Sequence, residues 1–245
     1  MWPKAKRAVT AAQARAIGEA ARSEAAKGGV GGGAGERNSP PLRRGGRRRR
    51  LPSLVGVFVD ENADTIARVA AEADLDYVQL HGDGAREALP ELLLLTGEEG
   101  RGGGSESSFG VIFVVTVGSD GVPRSKTPSQ ICGADRSEAA SSRGEDSRPD
   151  LLLVDGPAPG SGEAWDWRGL LSSQGGGPSL AAQAREGAWL LAGGLHPGNV
   201  AGAVEALAPG GVDVSSGVCG EDGLRKDEGR VAAFVAAARG GGGGS

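Results

Sequence analysis

The sequence predicts an α/β fold built on parallel strands. Three features carry that reading: short apolar runs recur from Leu54 onward, they are nearly unbroken in Val, Leu and Ile, and amphipathic stretches of helical period separate them. Unbroken apolar strands suit a parallel sheet covered on both faces, and regular strand–helix alternation is the sequence form of βαβ units.

In chain order, Thr10 and Gln13 form a T-x-x-Q capping box ahead of an alanine-rich run, which predicts a helix over 11–21 that ends near Arg22. Residues 23–53 are rich in Gly, Pro and Arg and lack periodicity, so they are expected to form a disordered insert. Strands are expected at 54–59, 76–80, 111–117, 151–155, 188–192 and 212–215, with helices at 65–73 and 199–207 between them. A last helix over 228–239 places Val231, Phe234, Val235 and Ala238 on one face, which predicts that this face is buried. Low-complexity inserts are expected near 97–109, 134–149 and 172–187, and a Gly-rich tail at 240–245. The remainder, 1–239, reads as a single domain.

Bulk properties exclude several classes. A formal net charge of −4 argues against a dedicated nucleic-acid binder. The arginine run within 43–50 has no interleaved aromatics for base stacking, so it reads as a solvated part of the insert. Cys132 and Cys219 are far apart and lack metal-ligand spacing, which fits neither a disulfide scaffold nor a metal site. No run of 18 apolar residues occurs, so no membrane span is expected, and the N-terminal MWPKAKRAVT has neither the apolar stretch of a secretory signal nor the length of a transit peptide.

Each strand ends in polar or glycine residues: VFVDEN, VQLHGDG, LLVDGPAPGSG, LLAGGLHPGN and VDVSSGVCG. A βα-barrel enzyme carries its chemistry at the C-terminal ends of its strands, with phosphate held after the last two, so these endings favour a barrel over an open doubly wound sheet.

At these positions the chain resembles the phosphoribosylanthranilate isomerases, especially the plant and algal form. The resemblance rests on four stretches in the family's order, WPKAKRAVTAAQARAI, LVGVFVDENADTIARVAAEADLDYVQLHGDG, LLLVDGPAPGSGEAWDW and WLLAGGLHPGNVAGAVEALAPGGVDVSSGVCGEDGLRKD. It implies a (βα)8 TIM barrel with about six of its eight strands present. It also implies a cofactor-free Amadori rearrangement of N-(5-phosphoribosyl)anthranilate in tryptophan biosynthesis. That reaction needs an acid for the ribose ring oxygen and a base for the adjacent carbon. By resemblance Asp155 is the acid, and a carboxyl group at the mouth of an apolar strand suits that task.

Phosphate is expected on Gly193 and Gly194 and on Ser216 and Gly217, where backbone amides approach anions closely. Arg7 matches the arginine that holds the anthranilate carboxylate. Asp213 matches a substrate-contacting carboxylate, and His81 lines the family's site. The implied partner is a small phosphoribosyl substrate, with no metal, nucleic acid or membrane, in a plastid for a plant or algal source and otherwise in the cytoplasm.

The family begins with a KICGIT-like strand whose cysteine is the base, then a helix and a second strand, and none of these occurs in the 245 residues. Gln130–Gly133 echoes the motif, but no apolar run precedes it to set Cys132 at a strand end. Cys219 sits in a context shared with relatives that also have the separate catalytic cysteine, so neither is expected to be the base. Six strands would leave two unpaired edges, and the chain alone is expected to be poorly stable. The alternative function is an inactive phosphosugar-binding or interaction protein derived from the family.

Overall fold

The structure, a computed structural model, describes residues 8–27, 52–96, 109–132, 148–156, 167–171, 180 and 188–240. Arg7, most of the 23–53 insert, the greater part of the other three inserts and the 241–245 tail lie outside the described residues. Two compact units are present, one holding the residues up to Val114 with Lys126–Leu151, the other Val115–Ser125 with Leu152 onward. Among the described residues, the strands of each unit pair in parallel and in chain order.

The first unit opens with α1 (Ala11–Lys27). Its capping box forms as expected: Thr10 N donates to Gln13 Oε1 over 2.9 Å and Gln13 N to Thr10 Oγ1 over 3.2 Å. The helix does not stop near Arg22. Ala25 and Ala26 are strong helix formers, Lys27 pairs with Glu24 at 2.7 Å, and these carry it to Lys27. Arg22 itself is held by Asp74 at 3.2 Å and Asp76 at 2.6 Å, which ties α1 to the end of α2 (Ala63–Ala73). Asn62 caps α2 by accepting from Thr65 N.

β1 (Val55–Phe58) pairs in parallel with β2 (Tyr77–Leu80), and β2 with β3 (Gly110–Thr116). Between them run α3 (Asp83–Glu87) and α4 (Leu89–Thr96), and α5 (Pro128–Cys132) follows β3. Phe58, Ile66, Val78, Leu80, Leu92 and Phe113 fill the core of this unit, each at 0% exposure. The expectation that every strand is covered on both faces fails at β1. Gly56 and Phe58 are buried, but Val55 and Val57, pointing the other way, are 39% and 43% exposed.

In the second unit, β4 (Leu151–Asp155), β5 (Trp189–Leu191) and β6 (Gly211–Val212) pair in parallel, with Leu191 opposite Val212. β6 is placed earlier than the sequence pattern predicts. After Asp213 the chain bends into the one-turn 3-10 helix Ser216–Val218, so Val214 and Ser215 belong to a turn rather than to the ladder. α6 (Val200–Leu207) packs on α7 (Glu228–Gly240), and α7 packs on the Ser216–Val218 turn. The face predicted for α7 is only partly used. Phe234 is buried, whereas Val231 and Val235 are each 39% exposed.

Candidate active site

The polar strand ends resolve into two kinds. In the second unit the chain leaves β5 through Gly193 and Gly194, at φ of 89° and 63°. These left-handed conformations favour glycine. A methyl group at Gly193 would fall 2.5 Å from Gly156 N and 2.9 Å from Asp155 Oδ1, so this turn lies directly against the end of β4. Asp155 is the last residue of that strand and is 6% exposed.

The turn after β6 reaches the same place from the other side. A methyl group at Gly217 would run into Leu195 O and lie 3.0 Å from His196 Cβ. The turns carrying Gly193–Gly194 and Ser216–Gly217 are therefore in contact, and only a residue without a side chain fits at the junction. Among the described residues, the amides of Gly193, Gly194, Ser216 and Gly217 meet no hydrogen-bond acceptor, although those of Ala192, Asp213 and Cys219 all do. Four part-exposed amides on two touching turns can cradle an anion through N–H donors alone.

Side chains brace this arrangement from outside. Asn199 Nδ2 donates to Gly194 O over 3.0 Å and Asn199 Oδ1 accepts from His196 N at 2.8 Å. The residue that precedes α6 thus binds back into the turn and makes no side-chain cap to its own helix. His196 Nδ1 accepts from Gly198 N at 3.1 Å. Sequence reading singled out neither Asn199 nor His196; the dense HPGN that follows two glycines was the available signal.

Asp213 lies three residues before Ser216 and is solvent-accessible. Crowding by protein raises its carboxyl above the ordinary aspartate value, against the opposing pull of the Lys226 ammonium and the Val214 amide. The accessible edge admits water, which limits the effect.

In the first unit the ends of β1 and β2 are organised differently. Glu61 folds back so that its Oε2 accepts from Val59 N at 2.9 Å and Asp60 N at 3.1 Å. Burial alone would raise the Glu61 carboxyl, but these amides outweigh it and hold it below the ordinary range. His81 Nδ1 lies 3.4 Å from Gln79 Nε2, and burial, reinforced by the nearby Arg86 charge, lowers the imidazole and keeps it neutral at pH 7. Arg86, also missed by sequence reading, is 5% exposed and donates to Val114 O at 2.8 Å and to Asp83 at 2.7 Å.

The cysteines stand away from strand ends of the expected kind. Cys132 closes the short helix α5, and Cys219 is buried behind the Ser216–Val218 turn. Among the described residues no group of three or more His, Cys, Asp or Glu side chains could hold a metal ion. None of the described helices is long and apolar enough to cross a membrane.

The family model for N-(5'-phosphoribosyl)anthranilate (PRA) isomerase matches residues 5–96 and 127–237. The chain belongs to the PRA isomerase family. It is 32% identical over 239 residues to N-(5'-phosphoribosyl)anthranilate isomerase 1, chloroplastic, of Arabidopsis thaliana, an alignment covering 98% of this chain and 65% of the relative. It thus spans just under two thirds of the length of that plant protein. The isomerase of Roseiflexus castenholzii is 31% identical over 246 residues, with 98% of this chain and 85% of the relative covered.

Two solved structures of PRA isomerases are similar as well. One, in complex with reduced 1-(o-carboxyphenylamino)-1-deoxyribulose 5-phosphate, is 26% identical with a TM-score of 0.54, covering 97% of this chain and 84% of the other. The Thermus thermophilus enzyme is 26% identical with a TM-score of 0.57, covering 96% and 82%. The α/β class expected from the strand–helix alternation is therefore the family's class.

Proposed function

We propose that this chain carries the phosphate grip and the general acid of a phosphoribosylanthranilate isomerase, acting in tryptophan biosynthesis. The observation that carries the proposal is the pair of touching turns with four open amides at the ends of β5 and β6, next to the buried Asp155. Phosphate would bind those amides and leave the ribose extending toward Asp155. Anchoring at the phosphate fixes the sugar without spending an interaction on the reacting atoms, which are then free for proton transfer.

In this reading Asp155 donates its proton to the ribose ring oxygen as the ring opens. A base then removes the proton from the adjacent carbon, and the aminoaldose becomes an aminoketose. Asp213 contacts the substrate, Arg7 holds the anthranilate carboxylate, and His81 lines the site as a neutral group. No metal or organic cofactor is needed, and a plastid is the compartment this reading assigns for a plant or alga.

The test compares the chain with a version that carries a KICGIT-type strand–helix–strand start, since the 245 residues contain no such segment. The extended protein is expected to turn over N-(5'-phosphoribosyl)anthranilate, and Asp155→Asn should lower turnover by roughly 10²- to 10⁴-fold with binding retained. Unchanged turnover in that variant would remove Asp155 from the role. Binding of the phosphosugar without any turnover in the extended protein would instead favour a phosphosugar-binding protein.

A further inference from the structure

Lys226 is bound to the candidate phosphate turn although it lies eleven residues beyond Ser215. Its ammonium donates to Ser215 O over 2.6 Å and to Cys219 Sγ over 3.5 Å, so it grips the residue before Ser216–Gly217 and the residue after that short helix. The backbone repeats the connection: Cys219 and Lys226 form an antiparallel bridge, Gly220 N donates to Arg225 O at 2.9 Å, and Asp227 N to Val218 O at 2.9 Å. Cys219 is buried and its own Sγ donates to Ser215 O at 3.5 Å, so ammonium and thiol converge on one carbonyl.

We propose that Lys226 is a positioning residue of the anion site, one that holds the open Ser216 and Gly217 amides in place through Ser215 O and Cys219 Sγ. The proposal rests on reading those amides as the phosphate grip. A turn whose N–H groups all face one ligand loses self-bonding as a source of rigidity, so its carbonyl side must be fixed from outside, and a lysine does this with three donors. The ammonium also adds attraction for a dianion in the same region.

Asp213 donates through its own amide to Leu191 O of β5, the Val214 amide lies on its loop, and among the described residues Lys226 is the charged group that acts on it. Among the described residues, removal of Lys226 therefore leaves the crowding of Asp213 unopposed by a cation.

The experiment measures binding of inorganic phosphate and of reduced 1-(o-carboxyphenylamino)-1-deoxyribulose 5-phosphate to the 245-residue chain by calorimetry. Wild type, Lys226→Met and Lys226→Arg are compared, with thermal melting of each. A parallel carbon NMR titration follows the Asp213 carboxyl. Lys226→Met should weaken both ligands by about tenfold and move the Asp213 titration to higher pH, whereas Lys226→Arg should restore most of each.

Wild-type affinity and an unmoved titration in Lys226→Met would overturn the role of Lys226 while leaving the phosphate site standing. Failure of the wild-type chain to bind either ligand would overturn the site reading and this proposal together. Loss of folding in both variants would also overturn it, in favour of a lysine that serves only the fold.

Discussion

The end of β1 and the ends of β5 and β6 face opposite demands. After β1, the chain satisfies its own donors: Glu61 accepts from Val59 N and Asp60 N, and Ala85 N donates to Val59 O at 2.9 Å. After β5 and β6, four amides stay open while Asn199 and Lys226 hold the carbonyl side of the same turns. A strand end that finishes its hydrogen bonds internally is a structural joint. One that leaves donors open and fixes their acceptor-bearing neighbours is arranged for a ligand.

The largest expected break in this contrast comes from a methyl group on each side. Gly217→Ala drives Cβ into Leu195 O, and Gly82→Ala drives it into Val59 O. Both contacts are with backbone, so relief requires moving a turn, and each variant should lose about 3 kcal/mol or more in denaturant titration. Their effect on phosphate should differ. Gly217→Ala is expected to abolish phosphate binding, while folded Gly82→Ala retains it; equal losses of affinity would erase the distinction between the two sets of strand ends.

Asn199→Ala is next. It removes the bonds to Gly194 O and His196 N, and should cost about 1–2 kcal/mol of stability. Because those bonds fix the Gly193–Gly194 turn, phosphate affinity should fall with stability. Glu61→Gln replaces a charged acceptor by a neutral one at a part-exposed site and should cost about 1 kcal/mol without changing phosphate affinity. Its acid dependence has a fixed sign: the folded carboxyl sits low, so its contribution is present above the ordinary glutamate value and is lost as pH falls through the folded one. Denaturation of wild type and Glu61→Gln at pH 7 and pH 3 would measure both points.

What could be read from sequence follows the range of the interactions. The T-x-x-Q cap and the unbroken LLLVD strand are local, and both form where the pattern puts them. The VDVSS run is also local in appearance, but the turn after β6 is held by Lys226 from further along the chain, so the strand ends before Val214. Val55, Val57, Val231 and Val235 show a second limit. Periodicity identifies an apolar face, yet burial depends on whether another element covers it, and these four are exposed. At the candidate site the glycines were legible as turns, whereas Asn199, Arg86 and Lys226 act through contacts that no spacing rule encodes.

The smallest expected effect, and the one most specific in its pH dependence, comes from the two titrating groups with opposite shifts. His81 is lowered, so below its ordinary value of about 6.5 the unfolded chain binds a proton that the folded chain resists. Its contribution to stability is therefore present above that value and declines as pH falls toward the folded one. Asp213 is raised, so the folded chain holds a proton more tightly than the unfolded chain; that contribution is present below the ordinary aspartate value and is lost as pH rises through the folded one. Urea denaturation from pH 7 to pH 5 should show a fall in stability that His81→Gln removes, because glutamine has no proton to gain. Asp213→Asn should leave that fall in place and instead flatten the profile at lower pH. If His81→Gln kept the full decline between pH 7 and pH 5, the neutral, half-buried imidazole at the end of β2 would have to be abandoned as its cause.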